Sequence, residues 1–576
     1  MKQQVLFFFF TLMLTGISVS AQTGGGRIAG VVIDNAGEEP LPGATIFIEE
    51  LKKGIVTDGH GEFLLSDVPA ATYTLTVRFI GYHTQTRKLT VGKERGKKII
   101  IRLKAEAKSL DEVVVMGKSE ARKLREQAMP ISVISMNQIQ GTVNNVQDIL
   151  AKTAGITVRA TGGTGSTSRI SVRGLEGKRI GLFIDGNPMN DNSDFIDIND
   201  IPVEMIDRIE IYKGVVPAKF GGSAVGGAVN IVIKEYPPKY LDVNYSYGSF
   251  NTHNASVVSK MNIAPKGIEF GLGGFYTYAD NDYKMKSPFQ EGLTITRDHD
   301  KFKKTVIGGS FKARKWWFDL VEFEPVFIHT YKDIQGIESN IRHAHSHSNA
   351  FIFANKMEKE NFLLDGLDLD WQLGYIYTDY HFADTASHRT HWDGTHYPAV
   401  SEFGGEIGKW ASLLTNEKHQ LQHKLNLNYL VNENHSVNFN SLLKYAHANP
   451  RDGMKDKVIG YRTDFPSNMF SWVAGLNYDY RTSNDKFLNS FNVKYYYYSM
   501  KTRMASVLVK TAEDIDTHKN DFGISNALRY RITPSLMAKA SFGYDVRLPS
   551  EEELLGDGYV IAVSYTHLTL PTSDLV

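Results

Sequence analysis

Residues Ser490 to Met500 read SFNVKYYYYSM, and the alternation in this stretch decides the fold. Phe491, Val493, Tyr495 and Tyr497 share one side of an extended chain, opposite Asn492 and Lys494. A strand of about ten residues with one apolar and one polar face is the spanning unit of a membrane β-barrel. The pattern recurs on either side. In LDVNYSYGSF, Leu241, Val243, Tyr245 and Tyr247 fall on one side. In NDFGISNALRYRI, Phe522, Ile524, Leu528 and Tyr530 oppose Arg529 and Arg531, and LMAKASFGY alternates likewise after the Thr533-Pro534-Ser535 turn. A cation facing lipid at mid-depth costs about 2–4 kcal/mol, so Lys494 and Arg529 are placed on the lumen side or near an interface. Short turns such as Val431 to Asn434 alternate with long polar loops such as Phe382 to Gly408. That asymmetry places the short turns on the periplasmic side and the long loops outside.

Composition agrees. The chain has 576 residues, too many for one ordinary core, with 50 Gly, 31 Phe and 28 Tyr but only 18 Pro. Lys and Arg number 64, as do Asp and Glu, and this balance argues against nucleic acid as a partner. The absence of cysteine excludes disulfides, thiolate metal sites and Cys nucleophiles. A mean hydropathy of −0.26 is too polar for a helical membrane protein but suits a barrel, whose strands are only half apolar.

At the N-terminus, Lys2, the apolar run Val5 to Leu14 and the small residues Val19-Ser20-Ala21 read as a signal peptide over 1–21, cleaved near Ala21. From 22 to 104, RIAGVVID, ATIFIEE, GEFLLSDV, YTLTVRFIGY and KKIIIRL alternate as short strands between turn signals such as Asp58-Gly59. They predict a seven-strand-type β-sandwich. The order of G-V-V-I-D, P-L-P-G-A-T, T-D-G-H-G-E-F and Y-T-L-T-V-R-F-I-G-Y resembles the carboxypeptidase regulatory-like domain, which carries no protease chemistry. His60 and His83 read as lone surface or turn residues.

Residues 105–127 form a charged linker containing Asp111, Glu112, Val113, Val114, Val115 and Met116. This run can add as a strand to another sheet's edge, or serve as an ordinary edge strand of the sandwich. It resembles the TonB box of TonB-dependent transporters, which implies a TonB-type energy-transducing partner at the inner membrane.

The block 128–235 carries four ordered motifs. They are TGGTGSTSRISVRG, ending in Arg173-Gly174; RIGLFIDGNPMND, with Asp185-Gly186; IDRIEIYKG, with Arg208, Glu210 and Gly214; and AKFGGSAVGGAVNIVIK, with Gly221, Gly226, Gly227 and Asn230. Before them, VNNVQDILAKTAGITV predicts an amphipathic helix stopped by Gly155, then a strand. The glycines permit positive φ and close backbone approach, and no Lys-Ser/Thr ending makes any of these a phosphate loop. The ensemble resembles the plug domain of TonB-dependent receptors. That resemblance implies strand positions for Arg173, Arg208 and Glu210, with charge pairing to lumen-facing barrel residues; a solvated strand face is the other reading. Asp185-Gly186 is most simply a turn.

The fold class read from the whole is mainly β: a sandwich, an α+β plug and, over 236–562, a partial antiparallel barrel of the 22-strand type. The phrase FGYDVRLPSEEELL from Phe542 resembles a mid-barrel motif of the same receptors, and about a dozen strands can be placed after Lys239. We expect residues 563–576 to be foreign. VSYTHLTLPT can be encoded by a DNA string resembling a transposase adaptor of sequencing libraries, and a long read running unchanged through Thr572 would refute this.

These resemblances imply active import of a scarce small molecule across the outer membrane, in contact with its lipid. The alternatives are import of an oligosaccharide or other nutrient, and a non-transporting surface-binding protein. A surface lipoprotein partner stays open. No enzyme is read, because G-x-S-x-G, H-E-x-x-H and phosphate loops are all missing, and no cofactor is implied. For the ligand, 12 of the 18 His lie between His329 and His447, with His343, His345 and His347 sharing one side of a strand-like run. Imidazole suits metals and haem, so a siderophore, haem or metal complex is favoured, against the reading that outer loops use His as another polar aromatic.

Overall fold

The computed structural model describes residues 26–549, except 36–37, 80–81, 93–97, 105–119, 136–145, 161, 167, 190–197, 199–200, 223, 264–266, 315, 337, 399–403, 408–409, 507–509 and 535. The signal peptide, Asp111 to Met116 and residues 563–576 therefore lie outside the described residues. The chain divides into two compact units, Met1–Lys118 and Ser119–Val576.

The first unit holds β1 (Gly26–Asp34), β2 (Thr45–Ile48), β3 (Lys53–Val56), β4 (Glu62–Val68), β5 (Thr72–Arg78), β6 (Gln85–Thr90) and β7 (Ile99–Leu103). They form two sheets, ordered β4-β1-β7 and β3-β2-β5-β6. Period-two alternation puts Val32, Ile46, Ile48, Leu75, Val77 and Ile101 inside, each almost wholly buried. Burial of such a side chain stabilises by about 1.5–3 kcal/mol. Asp58 closes the Asp-Gly-His-Gly turn by accepting the N–H groups of His60 and Glu62, both at 2.9 Å, so His60 is a turn residue.

The second unit begins with α1 (Glu120–Arg125), β8 (Ile131–Ser135), α2 (Val146–Ala151), β9 (Ile156–Ala160), β10 (Ser168–Val172), β11 (Leu175–Glu176), β12 (Gly181–Ile184), β13 (Asn187–Pro188), β14 (Ile206–Tyr212) and β15 (Ala228–Ile233). The sheets are β11-β10-β9 and β13-β12-β15-β14-β8. Val146, Ile149 and Leu150 of α2 pack on Ile206, Ile209, Ile211, Val229 and Ile231. The other side of β14 and β15 is covered by Phe183, Tyr212, Phe220 and Ala224. Strands buried on both faces read as continuous apolar runs, as IEIY and AVNIVI do. Gly155 sits at φ +81° in the turn entering β9, four residues past the end of α2, and so does not stop the helix directly.

The remainder is one antiparallel meander. Its strands are β16 (Lys239–Gly248), β17 (Thr252–Ile263), β18 (Ile268–Ala279), β21 (Phe302–Arg314), β22 (Leu320–Asp333), β23 (His345–Lys359), β24 (Leu367–Asp384), β27 (Ser412–Asn432), β28 (His435–Asp452), β29 (Ser467–Arg481), β30 (Phe487–Ser506), β31 (Thr511–Arg531) and β32 (Met537–Tyr544). These 13 strands pair in sequence order. Hairpins β19–β20 (Tyr283–Lys286, Thr294–Arg297) and β25–β26 (His388–Thr390, His396–Pro398) lie in the long connections. Those connections, 280–301, 334–344, 385–411 and 453–466, all leave from one end of the sheet, the last carrying α3 (Gly453–Ile459). Alternation sorts the two faces. Leu241, Val243, Tyr245, Tyr247, Phe522, Leu528 and Tyr530 are exposed on the outer face, whereas Lys494 and Arg529 are only 3% and 2% exposed on the inner one.

Candidate functional site

Glu210 organises the centre of the plug. It is buried on β14, where its carboxylate accepts from Arg208 Nε at 2.8 Å, Tyr212 OH at 3.0 Å and Asn230 Nδ2 at 3.0 Å. Burial, and then the Glu210 charge, push the Tyr212 hydroxyl far above its ordinary value, so it remains a donor. Asn230 passes the connection on, its Oδ1 accepting from Gly186 N at 2.9 Å. Asp185 and Gly186 are the two central residues of the β12–β13 hairpin, with φ of +48° and +75°, the geometry of a type I′ turn. Asp185 Oδ1 accepts from Ile233 N at 3.1 Å. Its carboxyl is pushed up to about 6 by the protein around it, against the pull of that N–H and of Lys356 and Lys312.

The Asp185-Gly186 turn rests on the inner wall. Lys424 Nζ of β27, itself 3% exposed, donates to Gly186 O at 2.7 Å. Nearby, Asn426 Nδ2 donates to Lys219 O at 3.2 Å. A second fastening joins the glycine-rich loop after β9 to the wall. Thr164 N donates to Asn281 Oδ1 at 3.0 Å, Asn281 Nδ2 returns a bond to Thr164 O at 2.8 Å, and Lys332 Nζ reaches Gly165 O at 2.9 Å. Gly165 has φ +78°, and a Cβ there would lie 2.1 Å from the Phe302 ring, so the close approach requires glycine.

The third fastening lies where the chain enters the plug. Arg529 NH1 of β31 donates to Glu126 O at 2.8 Å, while its NH2 bonds Asp485 Oδ1 at 2.6 Å. Arg531 NH2 bonds both Glu126 Oε2 and Asp485 Oδ2 at 2.8 Å. Lys539 Nζ of β32 caps Arg125 O at 2.7 Å and Met129 O at 3.0 Å. Ala128 completes the joint against Leu488 and Ala527. Four polar contacts therefore hold residues 125–129 to one patch of wall, whose arginines are braced in turn by three bonds to Asp485.

Several expected roles are corrected. Arg173 is not on a strand: it shares with Gly174 the positive-φ turn joining β10 and β11, is exposed, and pairs with no wall carboxylate among the described residues. Burial, and then the Arg173 charge, lower the neighbouring Lys213 ammonium, whose Nζ donates to Ala154 O at 2.8 Å. Arg208 and Glu210 do lie on a strand, but they pair with each other and Asp207 rather than with the barrel, because both side chains project within the plug. Gly214, Gly221 and Gly227 have φ of +112°, +69° and +116°, whereas Gly226 is needed for its close contact with Ile180 and Leu175.

The histidine cluster is also corrected. His343 lies before β23, where its backbone N–H, with those of Arg342 and Ala344, binds the buried Glu406 carboxylate. His345 Nδ1 turns back to His343 O at 3.0 Å. His347 stacks on His381 with ring centroids 4.4 Å apart. The three rings do not converge, and among the described residues no group of three His, Cys, Asp or Glu is gathered as a metal site.

The wall anchors Arg529, Arg531, Lys539, Asp485, Lys424 and Asn281, and the plug's Glu126, were not singled out as site residues. The usable signal was the cations on otherwise alternating strands, which have to face inward. Glu126 lies inside the stretch read as linker, ahead of 128.

Comparison with known proteins gives the family. Residues 28–115 match the CarboxypepD_reg-like domain, and residues 123–228 match the TonB-dependent receptor plug domain. TonB-dependent receptor P39 of Formosa agariphila is 28% identical over 249 residues, which is 42% of this chain and 23% of that protein. The vitamin B12 transporter BtuB of Vibrio vulnificus is 24% identical over 265 residues, 44% and 43% of the two chains. Among solved structures, the copper transporter OprC aligns with a TM-score of 0.57 at 15% identity, covering 74% of this chain and 66% of that one. The FrpB iron transporter of Neisseria meningitidis gives 0.55 at 11%, with the same coverage. The matched region thus spans less than half of either curated relative. A plug with these motifs, held by polar contacts to the inner face of a meander of spanning strands, places the chain in a family: it belongs to the TonB-dependent receptors of the outer membrane, with a carboxypeptidase regulatory-like domain ahead of the plug.

Proposed function

We propose that the receptor carrying this chain actively imports a scarce small molecule, driven by a TonB-type partner that pulls on Asp111 to Met116. The observation that carries this reading is the character of the plug's attachment. The plug has its own apolar cores, while its links to the wall are mainly hydrogen bonds and ion pairs at Glu126, Gly186 and Thr164-Gly165. Polar links exchange for water when pulled apart, at a net cost of about 1.5–3 kcal/mol each for the charge-assisted bonds, whereas an apolar interface would resist along its whole area. The plug is therefore built as an insert that can yield to force. Glu126 follows the Asp111–Met116 run by ten residues, so tension reaches that joint first.

A siderophore, haem or metal complex is the cargo class we favour. Solved structures of this fold include a copper transporter, the siderophore receptor PiuA and the haemophore receptor HasR in complex with its haemophore and heme. Deleting Asp111–Met116 from the receptor is expected to abolish uptake while surface binding of ligand persists. Unchanged uptake would refute the mechanism. Growth under iron limitation with and without the gene tests the cargo class, and equal growth removes it.

A further inference from the structure

The histidine enrichment has a location that its sequence reading did not anticipate. His329, His347, His381, His419 and His447 lie on β22, β23, β24, β27 and β28, five strands paired in that order. All five share the outer face. On β23, β27 and β28 the residues in phase with them, Phe351, Leu421 and Tyr445, are 41%, 45% and 44% exposed. The out-of-phase residues Ala350, Gln420 and Ala446 are 1%, 5% and 6% exposed. On β23, β24 and β28 the histidine stands on the long-connection side of the first large outward apolar or aromatic group, respectively Phe351, Tyr377 and Tyr445, whereas on β22 and β27 Tyr331 and Leu413 lie beyond it. The row therefore lies toward the long-connection end of the outer face, at the border of the apolar belt on β23, β24 and β28.

The row pairs His347 with His381 and His419 with His447, with a four-residue step between His381 and His419, and its rings are held in place. His329 Nδ1 lies 2.9 Å from Asn349 Oδ1, His419 Nδ1 lies 2.8 Å from Tyr375 OH, and His447 Nδ1 lies 2.9 Å from Asn468 Oδ1. Held at Nδ1, these rings leave Nε2 as the nitrogen for an outside partner. Tyr or Trp alone would meet the amphipathic requirement at this depth. Imidazole adds something those rings lack, a proton taken up near pH 6.5. The titratable groups facing the row are Asp379, 2.8 Å from His381, Glu417, Asp333 and His345, with Lys303, Arg451 and the Lys501–Asp516 ion pair further along the same face.

We propose that this outer-face histidine row is a docking surface for phosphate-bearing lipid headgroups of the surrounding outer leaflet, occupied as the rings protonate. Charge complementarity identifies the occupant: a band of imidazolium at headgroup depth meets phosphate oxygens, and each cation near a lipid phosphate tightens binding roughly fivefold. The inference rests on the outer-membrane placement and is independent of whether the receptor imports anything.

The test uses the receptor in detergent and native mass spectrometry, with diphosphorylated lipid A and its dephosphorylated form as probes at about pH 5.5 and pH 8. Phosphorylated lipid is expected to bind at least roughly tenfold tighter at the lower pH, and dephosphorylated lipid equally at both. Phosphate itself loses charge toward pH 5.5, so tightening there comes from the protein. Replacing His347, His381, His419 and His447 together by Tyr is expected to erase the pH ratio with an unchanged melting temperature. Binding independent of pH in the native receptor, equal binding of the dephosphorylated lipid, or a pH ratio retained in the variant would each overturn the proposal. Should the variant not fold, the two lipids on the native receptor still decide.

Discussion

Arg529→Leu is expected to release the entrance of the plug from the wall, at a cost of about 1–3 kcal/mol. Arg529 is 2% exposed and is shared between Glu126 O and the Asp485 carboxylate. Removing the guanidinium leaves the buried carbonyl without its donor, while Asp485 keeps Arg531 at 2.8 Å and Arg481 at 3.7 Å. Hydrogen exchange at residues 125–129 is the direct measurement. Those amides are expected to exchange faster in the variant while β14 and β15, anchored through Glu210 and Asn230, remain protected. An unchanged exchange pattern would show that the joint does not hold the plug.

Gly227→Ala is expected to be the most damaging single methyl in the chain, costing more than about 4 kcal/mol. Gly227 has φ +116°, and a Cβ there would stand 2.3 Å from Tyr212 O and 3.2 Å from Gly214 N. Both obstacles are backbone, fixed by the β14–β15 pairing of Tyr212 with Ala228, so neither can swing aside. Gly174→Ala supplies the control. Its φ is +86°, but a Cβ meets nothing within 4 Å, so only conformational strain of about 1 kcal/mol remains. Limited proteolysis across residues 128–235 is expected to cut the Gly227 variant rapidly and the Gly174 variant at nearly the native rate. Equal rates would mean that the close approach at Gly227 carries no energy.

The spanning strands were readable because a barrel wall obeys one local rule. A side chain on an antiparallel strand faces either lipid or lumen, and period two reports which. SFNVKYYYYSM, LDVNYSYGSF and NDFGISNALRYRI all sort as their alternation predicts, down to Lys494 and Arg529 turning inward. The sandwich was readable for the same reason, and the plug through its turn glycines. Pairings between distant segments were not legible. For Arg208 the resemblance implied the wall and its strand position allowed a solvated face; it bonds Glu210 instead, because whether a polar side chain on β14 looks outward depends on what covers that face. The strand position that the plug resemblance implied for Arg173 fails by one residue: the strand ends at Val172, and Arg173 and Gly174, both at positive φ, form the turn.

Histidine shows the limit most clearly. Their crowding between His329 and His447 was visible in the sequence and suggested a ligand. The fold spreads five of them along the outer face of neighbouring strands, away from the plug. By itself the sequence determined the class of structure: a β-sandwich, a glycine-rich plug and amphipathic spanning strands, since each follows from local periodicity and turn chemistry. Only the tertiary structure decided which charges meet. Arg529 is 403 residues from Glu126, and Lys424 is 238 from Gly186. Contacts at that separation are set by strand register and by the packing of one domain against another, neither of which leaves a local trace.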